Sequence, residues 1–230
     1  EKPEDFKWNQ LLSFDACVEC GRCEKACPAF AAGQPLNPKK LIQDMVVGMA
    51  GGDTAKFAGS PYPGVTGTYK GGAIIPIVDT LVPANTIWSC TTCRACMEVC
   101  PVGNEHIPDI IDMRRYLTMG VGEVGHGAQG ALKKMGSRGN PWGMSKRDRA
   151  KWADGLDIPL WDKKEPSEYL YWVGCAGAYD DRAQKVTKSV SRLMKKAGVD
   201  FAILGKKEKC TGDSARRLGD EYLFQSMAED

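Results

Sequence analysis

The sequence predicts an α+β chain, in which a helical first part is followed by alternating strands and helices. Eight of the ten cysteines fall in two eleven-residue windows, Cys17–Cys27 and Cys90–Cys100, and apolar residues at helical spacing follow each window. In the last quarter, short runs of aromatic and β-branched residues alternate with helical patterns. We therefore expect three parts: a helical domain over 1–120, a Gly-rich and basic linker over 121–166, and the first part of an α/β domain over 167–230.

Composition excludes several classes of protein. Of 230 residues, 43% are hydrophobic and 26% are charged, which is ordinary for a globular chain. Lys and Arg total 31 against 29 acidic residues, so no excess of positive charge points to nucleic acid. The longest apolar stretch, Ala73 to Ala84, contains Asp79 and two prolines, so it does not predict a membrane span. Because the chain begins at Glu1 rather than Met, we interpret it as part of a longer polypeptide and expect membrane contact only through segments outside it.

The two cysteine windows share one pattern, C-x2-C-x2-C-x3-C-P. Residues 17–28 are CVECGRCEKACP and residues 90–101 are CTTCRACMEVCP. In bacterial ferredoxins with this pattern, the first three cysteines bind one cluster and the fourth binds the other. Cysteines three residues apart wrap around one cube, whereas the fourth points away at the start of a helix. The sequence therefore predicts two [4Fe–4S] clusters with crossed ligands: Cys17, Cys20, Cys23 and Cys100 for cluster one, and Cys90, Cys93, Cys96 and Cys27 for cluster two.

Two other uses of cysteine fit this pattern less well. Disulfide frameworks belong to small secreted domains and spread their cysteines along the chain. Structural zinc binds paired C-x2-C elements, but it explains neither a third cysteine at the same spacing nor the proline after each fourth cysteine. The windows therefore favour iron–sulfur clusters.

Each window is followed by a predicted helix that begins at a proline. Asn37 and Pro38 provide an N-cap and a first helical residue, and Pro108 starts the corresponding helix after the second window. This repeat favours an α-helical ferredoxin domain over a strand-rich one. The Gly- and Pro-rich stretch 51–72 is predicted as an irregular surface loop or a docking surface. With eight thiolates available, His106 is predicted as a loop or helix-start residue rather than a ligand.

The last part of the chain has a strand, helix, strand, helix order. Strands are predicted over 169–173 and 201–204, on either side of a helix over 181–197. The apolar residues of that helix lie on one face, which we expect to be buried: Val186, Val190, Leu193, Met194 and Ala197.

Two cysteines follow these predicted strands. Strands joined by a helical crossover run parallel, so Cys175 and Cys210 follow strand ends at the same sheet edge. Two interpretations stay open: a third metal site that needs further ligands, or a pair of structural cysteines.

The motifs together resemble a known family. Besides the two windows, the chain carries Asn140-Pro-Trp-Gly143, Gly174-Cys175-Ala-Gly177 and, at 210–219, CTGDSARRLG. These resemble the iron–sulfur oxidoreductases typified by the D-type subunit of heterodisulfide reductase and the iron–sulfur subunit of glycolate oxidase. Around the windows, the sequence is most similar to the iron–sulfur subunit of bacterial dimethylglycine catabolism.

The resemblance implies an electron-transfer subunit. Such a subunit relays single electrons from a flavin-dependent dehydrogenase, here of a dimethylglycine-demethylating type, to a quinone or an electron-transfer flavoprotein. It implies a location in the cytoplasm or on the cytoplasmic face of the membrane.

The chain departs from the family pattern at one position. The cysteine-rich domain of the family carries Cys-Cys-Gly motifs, and here Thr211 takes the place of the second cysteine after Cys210. This puts the family's catalytic cluster in doubt. The alternative to a relay is a catalytic, heterodisulfide-reductase-like subunit with a third cluster at Cys175 and Cys210.

Overall fold

The computed structural model describes residues 1–49 and 76–229, and the chain divides into two compact units. Unit 1 is Glu1–Gly122 and unit 2 is Glu123–Asp230. Unit 1 is helical and unit 2 combines helices with a small sheet, which confirms the predicted α+β class. The predicted loop at 51–72 lies outside the described residues.

Unit 1 is built from short helices around one apolar core. Its helices are α1 (Trp8–Asp15), α2 (Arg22–Ala26), α3 (Pro28–Ala31), α4 (Pro38–Met49), α5 (Ala84–Trp88), α6 (Ala95–Glu98) and α7 (His106–Arg115), the last continuing into a π-helical turn (Tyr116–Val121). The core contains Phe14, Leu41, Ile42, Met45, Ile77, Val82, Ile87, Ile110, Met113 and Leu117. The periodicity that predicted α4 therefore also identified its buried face.

The second predicted proline-initiated helix begins earlier than expected. Helix α7 starts at His106, which places Pro108 in its first turn rather than at its first position. A proline is tolerated there because the backbone N–H groups of a first turn have no partner within the helix. Since α7 starts at His106, the imidazole of that residue lies at the end of the helix next to the second window.

Unit 2 begins within the predicted linker. Its elements are α8 (His126–Arg138), β1 (Tyr169–Leu170), α9 (Gly174–Tyr179), α10 (Asp181–Lys196), β2 (Phe201–Ala202), α11 (Asp213–Arg217) and α12 (Glu221–Glu229). Leu132 and Met135 of α8 pack against Ala215 of α11, and Trp152 is buried beside Ala178 and Ile203. Residues 121–166 are therefore not a plain connection, because their apolar side chains contribute to both small cores of unit 2.

The two strands pair as predicted, although they are shorter. They run parallel, with Tyr169 opposite Phe201 and Leu170 opposite Ala202, and a bridge joins Leu160 to Ile203. The parallel order places the chain that leaves β1 and the chain that leaves β2 at the same edge of the sheet.

Helix α10 has the predicted extent but a different buried face. Thr187 and Ser191 are buried, whereas Val186 and Leu193 are 60% and 66% exposed. The reason is a close approach of α9, since a Cβ on Gly177 would lie 2.6 Å from Thr187 Oγ1. A large apolar side chain at position 187 of α10 would not fit against Gly177 of α9. The buried hydroxyls donate hydrogen bonds to carbonyls one turn earlier in α10, so they cost little to bury.

None of the helices within residues 1–49 and 76–229 combines the length and the apolar character needed to cross a membrane.

Candidate iron–sulfur sites

Cysteines from both windows surround one cavity in unit 1. Cys17, Cys20 and Cys23 line this cavity together with Cys100, which belongs to the second window. Other lining residues include Val18, Lys39, Val102, Asn104 and His106. We call it cavity one; the four cysteines predicted for cluster one lie around it.

The remaining four cysteines form a second group. Cys27, the fourth cysteine of the first window, packs against Cys90. The thiol of Cys96 interacts electrostatically with Cys90, Cys27 and Cys93. The fold therefore brings together the crossed set predicted for cluster two.

The two cysteine loops have the same backbone conformation. In the first loop Glu19 and Gly21 have φ of 53° and 73°, and in the second Thr92 and Arg94 have φ of 56° and 67°. Both pairs occupy the same two positions of the pattern, on either side of the second cysteine. Left-handed backbone at non-glycine residues is strained, and such strain concentrates at functional sites. The repetition of this conformation indicates that each loop is shaped to turn its own three cysteines toward one centre.

Backbone N–H groups donate to several cysteine sulfurs. The donors are Phe30 N to Cys27 Sγ at 3.5 Å, Thr92 N to Cys90 Sγ at 3.3 Å and Asn104 N to Cys100 Sγ at 3.3 Å. Such bonds stabilise negative charge on sulfur and therefore favour thiolate ligands.

Burial raises the pKa of several of these thiols. Burial, with the neighbouring Cys17 and Cys100 adding to it, raises the pKa of Cys23 to about 11. Burial and the neighbouring thiols raise the pKa of Cys96 to about 12 and also raise the pKa of Cys90. These thiols are deprotonated only when a cation takes the place of the proton.

The donor set fits iron–sulfur clusters. Soft sulfur ligands in groups of four are what [4Fe–4S] clusters bind. Over the described part of the chain, no group of three or more His, Cys, Asp or Glu side chains is arranged around a single metal ion. In a four-iron cluster each thiolate binds a different iron, so its ligands stand farther apart than the ligands of one ion.

The two cysteine groups are adjacent and each reaches the surface. Cys23 of the first group and Cys96 of the second belong to one buried cluster with Ile107. Cys20 and Cys93, the second cysteines of the two loops, are exposed. The two cysteine groups therefore meet inside unit 1, and each has one cysteine at the surface.

A buried arginine supports the second loop. The guanidinium of Arg114 donates to the carbonyl oxygens of Ile87 at 2.8 Å and Cys90 at 2.6 Å, and it lies over the Trp88 ring. This residue was not predicted from the sequence. Its only signal is a basic position on the side of α7 that also carries Ile110 and Met113.

Unit 2 brings Cys175 and Cys210 together. Cys175 lies at the start of α9 after β1, and Cys210 follows the loop after β2. Cys175 Sγ lies 3.8 Å from the Gly139 carbonyl oxygen, which also accepts from the Cys210 N–H at 3.0 Å. The neighbouring Cys210 thiol and burial raise the pKa of Cys175. The neighbouring Cys175 thiol lowers the pKa of Cys210 to about 6. The convergence predicted from parallel strands is therefore present, as a pair of thiols.

A buried ion pair holds this cysteine pair. Arg149 Nη2 lies 2.7 Å from Glu208 Oε1, and both side chains are 3% exposed. Arg149 Nη1 donates to Cys175 Sγ at 3.5 Å, while Glu208 accepts from the backbone N–H groups of Val173 and Gly174. The carboxylate thereby fixes the turn that positions Cys175.

Neither charged residue was predicted from the sequence. Arg149 lies in the segment assigned to the linker, and Glu208 is the one acidic residue among the lysines at 206–209. That isolated acidic residue is the available signal, since an acid inside a basic loop often has a specific cation partner.

Comparison with protein families identifies both parts of the chain. A family described as "4Fe-4S dicluster domain" matches residues 13–104, and one described as "Cysteine-rich domain" matches residues 169–230. The first match covers all eight clustered cysteines, and the second covers Cys175 and Cys210.

Curated relatives extend over nearly the whole chain. The chain is 54% identical to a "Probable membrane-anchored ferredoxin" of Chromohalobacter salexigens and 42% identical to an "EtfAB:quinone oxidoreductase" of Syntrophomonas wolfei, over 99% of its length in both cases. It is 30% identical to the D-type heterodisulfide reductase chain of Methanosarcina barkeri over 93% of its length. The chain spans 35%, 34% and 49% of these relatives. No solved structure matches it.

Proposed function

We propose, from its similarity to the iron–sulfur oxidoreductases of the heterodisulfide reductase D type, that unit 1 relays single electrons through two [4Fe–4S] clusters. The donor is a flavin-dependent dehydrogenase and the acceptor is a quinone, with an electron-transfer flavoprotein as the alternative acceptor. The relative named EtfAB:quinone oxidoreductase supports a quinone at one end of the relay. A dimethylglycine-demethylating donor stays a prediction from the sequence resemblance.

The single observation that carries this proposal is the crossing of the cysteines. Cys100 of the second window lines cavity one with three cysteines of the first, and Cys27 packs against Cys90. We assign Cys17, Cys20, Cys23 and Cys100 to cluster one, and Cys90, Cys93, Cys96 and Cys27 to cluster two. When bound, such clusters accept and release one electron reversibly.

The protein's own groups prepare both sites. Thiolates bind, backbone N–H groups stabilise charge on sulfur, and the surrounding apolar side chains exclude water. A flavin takes two electrons from an organic substrate and passes them on singly, which suits a one-electron relay. The exposed loops at Cys20 and Cys93 provide the two points at which partners dock.

Counting iron and acid-labile sulfide in the anaerobically purified protein tests the cofactor content. We expect about eight of each, and an EPR spectrum of two interacting clusters after reduction. Stopped-flow mixing with a reduced flavoprotein then tests the direction of transfer. Clusters that are present but that no reduced flavoprotein reduces would contradict the relay.

A second candidate function rests on the contact between Cys175 and Cys210. The two thiols meet beside the Arg149 guanidinium, which suits either a third metal site or disulfide chemistry. The double variant Cys175→Ser/Cys210→Ser separates the candidates, because a relay keeps its electron transfer while a reductase loses turnover. An iron content of about twelve in the parent protein, falling to about eight in the variant, would favour the third centre.

A further inference from the structure

His106 is a buried polar side chain that the fold does not explain. It is 1% exposed, and its Nε2 has no hydrogen-bond partner within the part of the chain that the structure describes. Buried polar atoms nearly always have a partner, so such an atom requires an explanation. His106 also lines cavity one together with Cys17, Cys20, Cys23 and Cys100.

One of the two imidazole nitrogens of His106, Nδ1, has a contact within the protein. Its Nδ1 lies 3.3 Å from the backbone carbonyl oxygen of Asn104, which is longer than the usual range of about 2.7–3.2 Å. Burial keeps the ring neutral, because it lowers the pKa of His106. A neutral ring carries one proton, which either nitrogen can hold.

The contents of cavity one decide which nitrogen holds that proton. Sulfide and thiolate sulfurs have lone pairs and no proton, so they only accept hydrogen bonds. A hydrogen bond to a charged acceptor is stronger than a long bond to a neutral carbonyl. With a cluster in the cavity, the proton therefore belongs on Nε2, the atom that otherwise has no partner.

We propose, as an extension of the proposed function, that His106 Nε2–H donates a hydrogen bond to a sulfur of cluster one and raises the reduction potential of that cluster. Reduction adds negative charge to the cluster, and a donor directed at its sulfur stabilises this charge more in the reduced than in the oxidised form. His106 is thus a residue that tunes the relay without serving as a ligand.

Two substitutions separate the hydrogen bond from simple packing. His106→Leu removes the donor and fills the space, whereas His106→Gln retains an N–H donor near the position of Nε2. Met113→Leu is the matched control, since Met113 is buried in the same helix but contributes to the apolar core instead of lining cavity one. The midpoint potentials of both clusters are measured by EPR-monitored redox titration, and the cluster lost in Cys17→Ala identifies cluster one.

We expect His106→Leu to lower the potential of cluster one alone, and His106→Gln and Met113→Leu to leave both potentials close to those of the parent protein. Pulsed proton ENDOR of the reduced protein in H2O and D2O should show an exchangeable coupling that His106→Leu lacks. Unchanged potentials with an unchanged coupling, in a variant with full iron content, overturn the role of His106 and leave the relay intact. A parent protein that binds no clusters overturns the relay itself.

Discussion

Units 1 and 2 stabilise buried sulfur in different ways. In unit 1 the cysteines stand in two groups of four, and backbone N–H groups donate to the Sγ atoms of Cys27, Cys90 and Cys100. In unit 2 two cysteines meet, and the Arg149 guanidinium donates to Cys175 Sγ. Four thiolates around one centre repel one another and need the positive charge of iron, whereas in unit 2 the protein supplies a cation of its own.

The two units also differ in the surroundings of their buried carboxyl groups. Glu208 of unit 2 forms a salt bridge with Arg149 and accepts hydrogen bonds from two backbone N–H groups. Asp109 of unit 1 is 2% exposed and accepts a hydrogen bond from Gln10 Nε2 at 2.8 Å. Burial raises the pKa of Asp109 to about 7, and the neighbouring Asp112 and Glu105 add to this rise. Unit 2 therefore pairs its buried carboxyl group with a cation, whereas in unit 1 burial raises the pKa of the carboxyl group.

The largest expected effect comes from removing cluster ligands in pairs. If Cys17 and Cys100 hold the same cluster, the double variant Cys17→Ala/Cys100→Ala loses about four irons, as each single variant does. If Cys27 belongs to the other cluster, Cys17→Ala/Cys27→Ala loses about eight. Iron and sulfide counts after anaerobic reconstitution measure this. The reverse result, with the Cys17 and Cys27 losses coinciding, would show that each window holds its own cluster.

The next largest effect is expected at the ion pair of unit 2. Arg149→Met leaves the Glu208 carboxylate buried without its cation, which typically costs about 3–5 kcal/mol. The double variant Arg149→Met/Glu208→Gln should recover part of this loss. Urea unfolding followed by circular dichroism measures the free energies of unfolding.

A matched control for this pair lies on the surface of unit 1. Lys40 Nζ is 2.6 Å from Asp44 Oδ1, and the lysine side chain is 66% exposed. Lys40→Met should cost no more than about 1 kcal/mol, because water screens the pair. Equal losses of unfolding free energy in Arg149→Met and Lys40→Met would contradict the expected difference between buried and exposed ion pairs.

A pH-dependent difference is expected at Asp109. Its folded-state pKa of about 7 lies above the ordinary value of 3.8, so between these values the folded protein holds a proton that the unfolded chain has released. The contribution of Asp109 to stability therefore falls as pH rises through this window. The variant Asp109→Asn has no titratable group at this position and keeps an acceptor for Gln10. From pH 4 to pH 8, the free energy of unfolding of the variant should therefore rise relative to that of the parent protein by up to about 4 kcal/mol. A difference that stays constant with pH would show that Asp109 is ionised in the folded protein.

The smallest effect is expected on the outer side of α10. Leu193→Ser and Val186→Ser should each cost less than about 0.5 kcal/mol, since both side chains are exposed. Leu41→Ala in the core of unit 1 should cost about 2–5 kcal/mol. Thermal unfolding of the three variants gives this comparison. A large loss at Leu193 would mean that this face is covered in solution.

Some features could be predicted from local sequence because local rules decide them. The cysteine spacing, the proline after each window and the apolar periodicity of 38–49 each depend on neighbouring residues. The same holds for the parallel pairing of the strands at 169 and 201, which follows from a single helical crossover. These features predicted the α+β class and eight candidate ligands.

Other features were not predictable, because they depend on a partner that is distant in sequence. The apolar residues of α10 indicated a buried face, but the close contact at Gly177 buries Thr187 instead. The sequence predicted a linker over 121–166, because no local pattern showed that its apolar residues are buried. In the structure, Met135 and Trp152 pack against elements that lie much later in the chain. Arg149 and Glu208 are 59 residues apart, and no local pattern joins them.

The sequence by itself predicted the iron–sulfur sites of this protein, because cysteine number and spacing limit which metal centres the chain can bind. Only the tertiary structure decided which groups surround those cysteines: Cys100 beside the first window, Arg114 behind Cys90, Arg149 against Cys175 and His106 in cavity one. The physical reason is that ligation depends on residue type and local spacing, whereas the electrostatic surroundings of a site depend on side chains that only folding brings together.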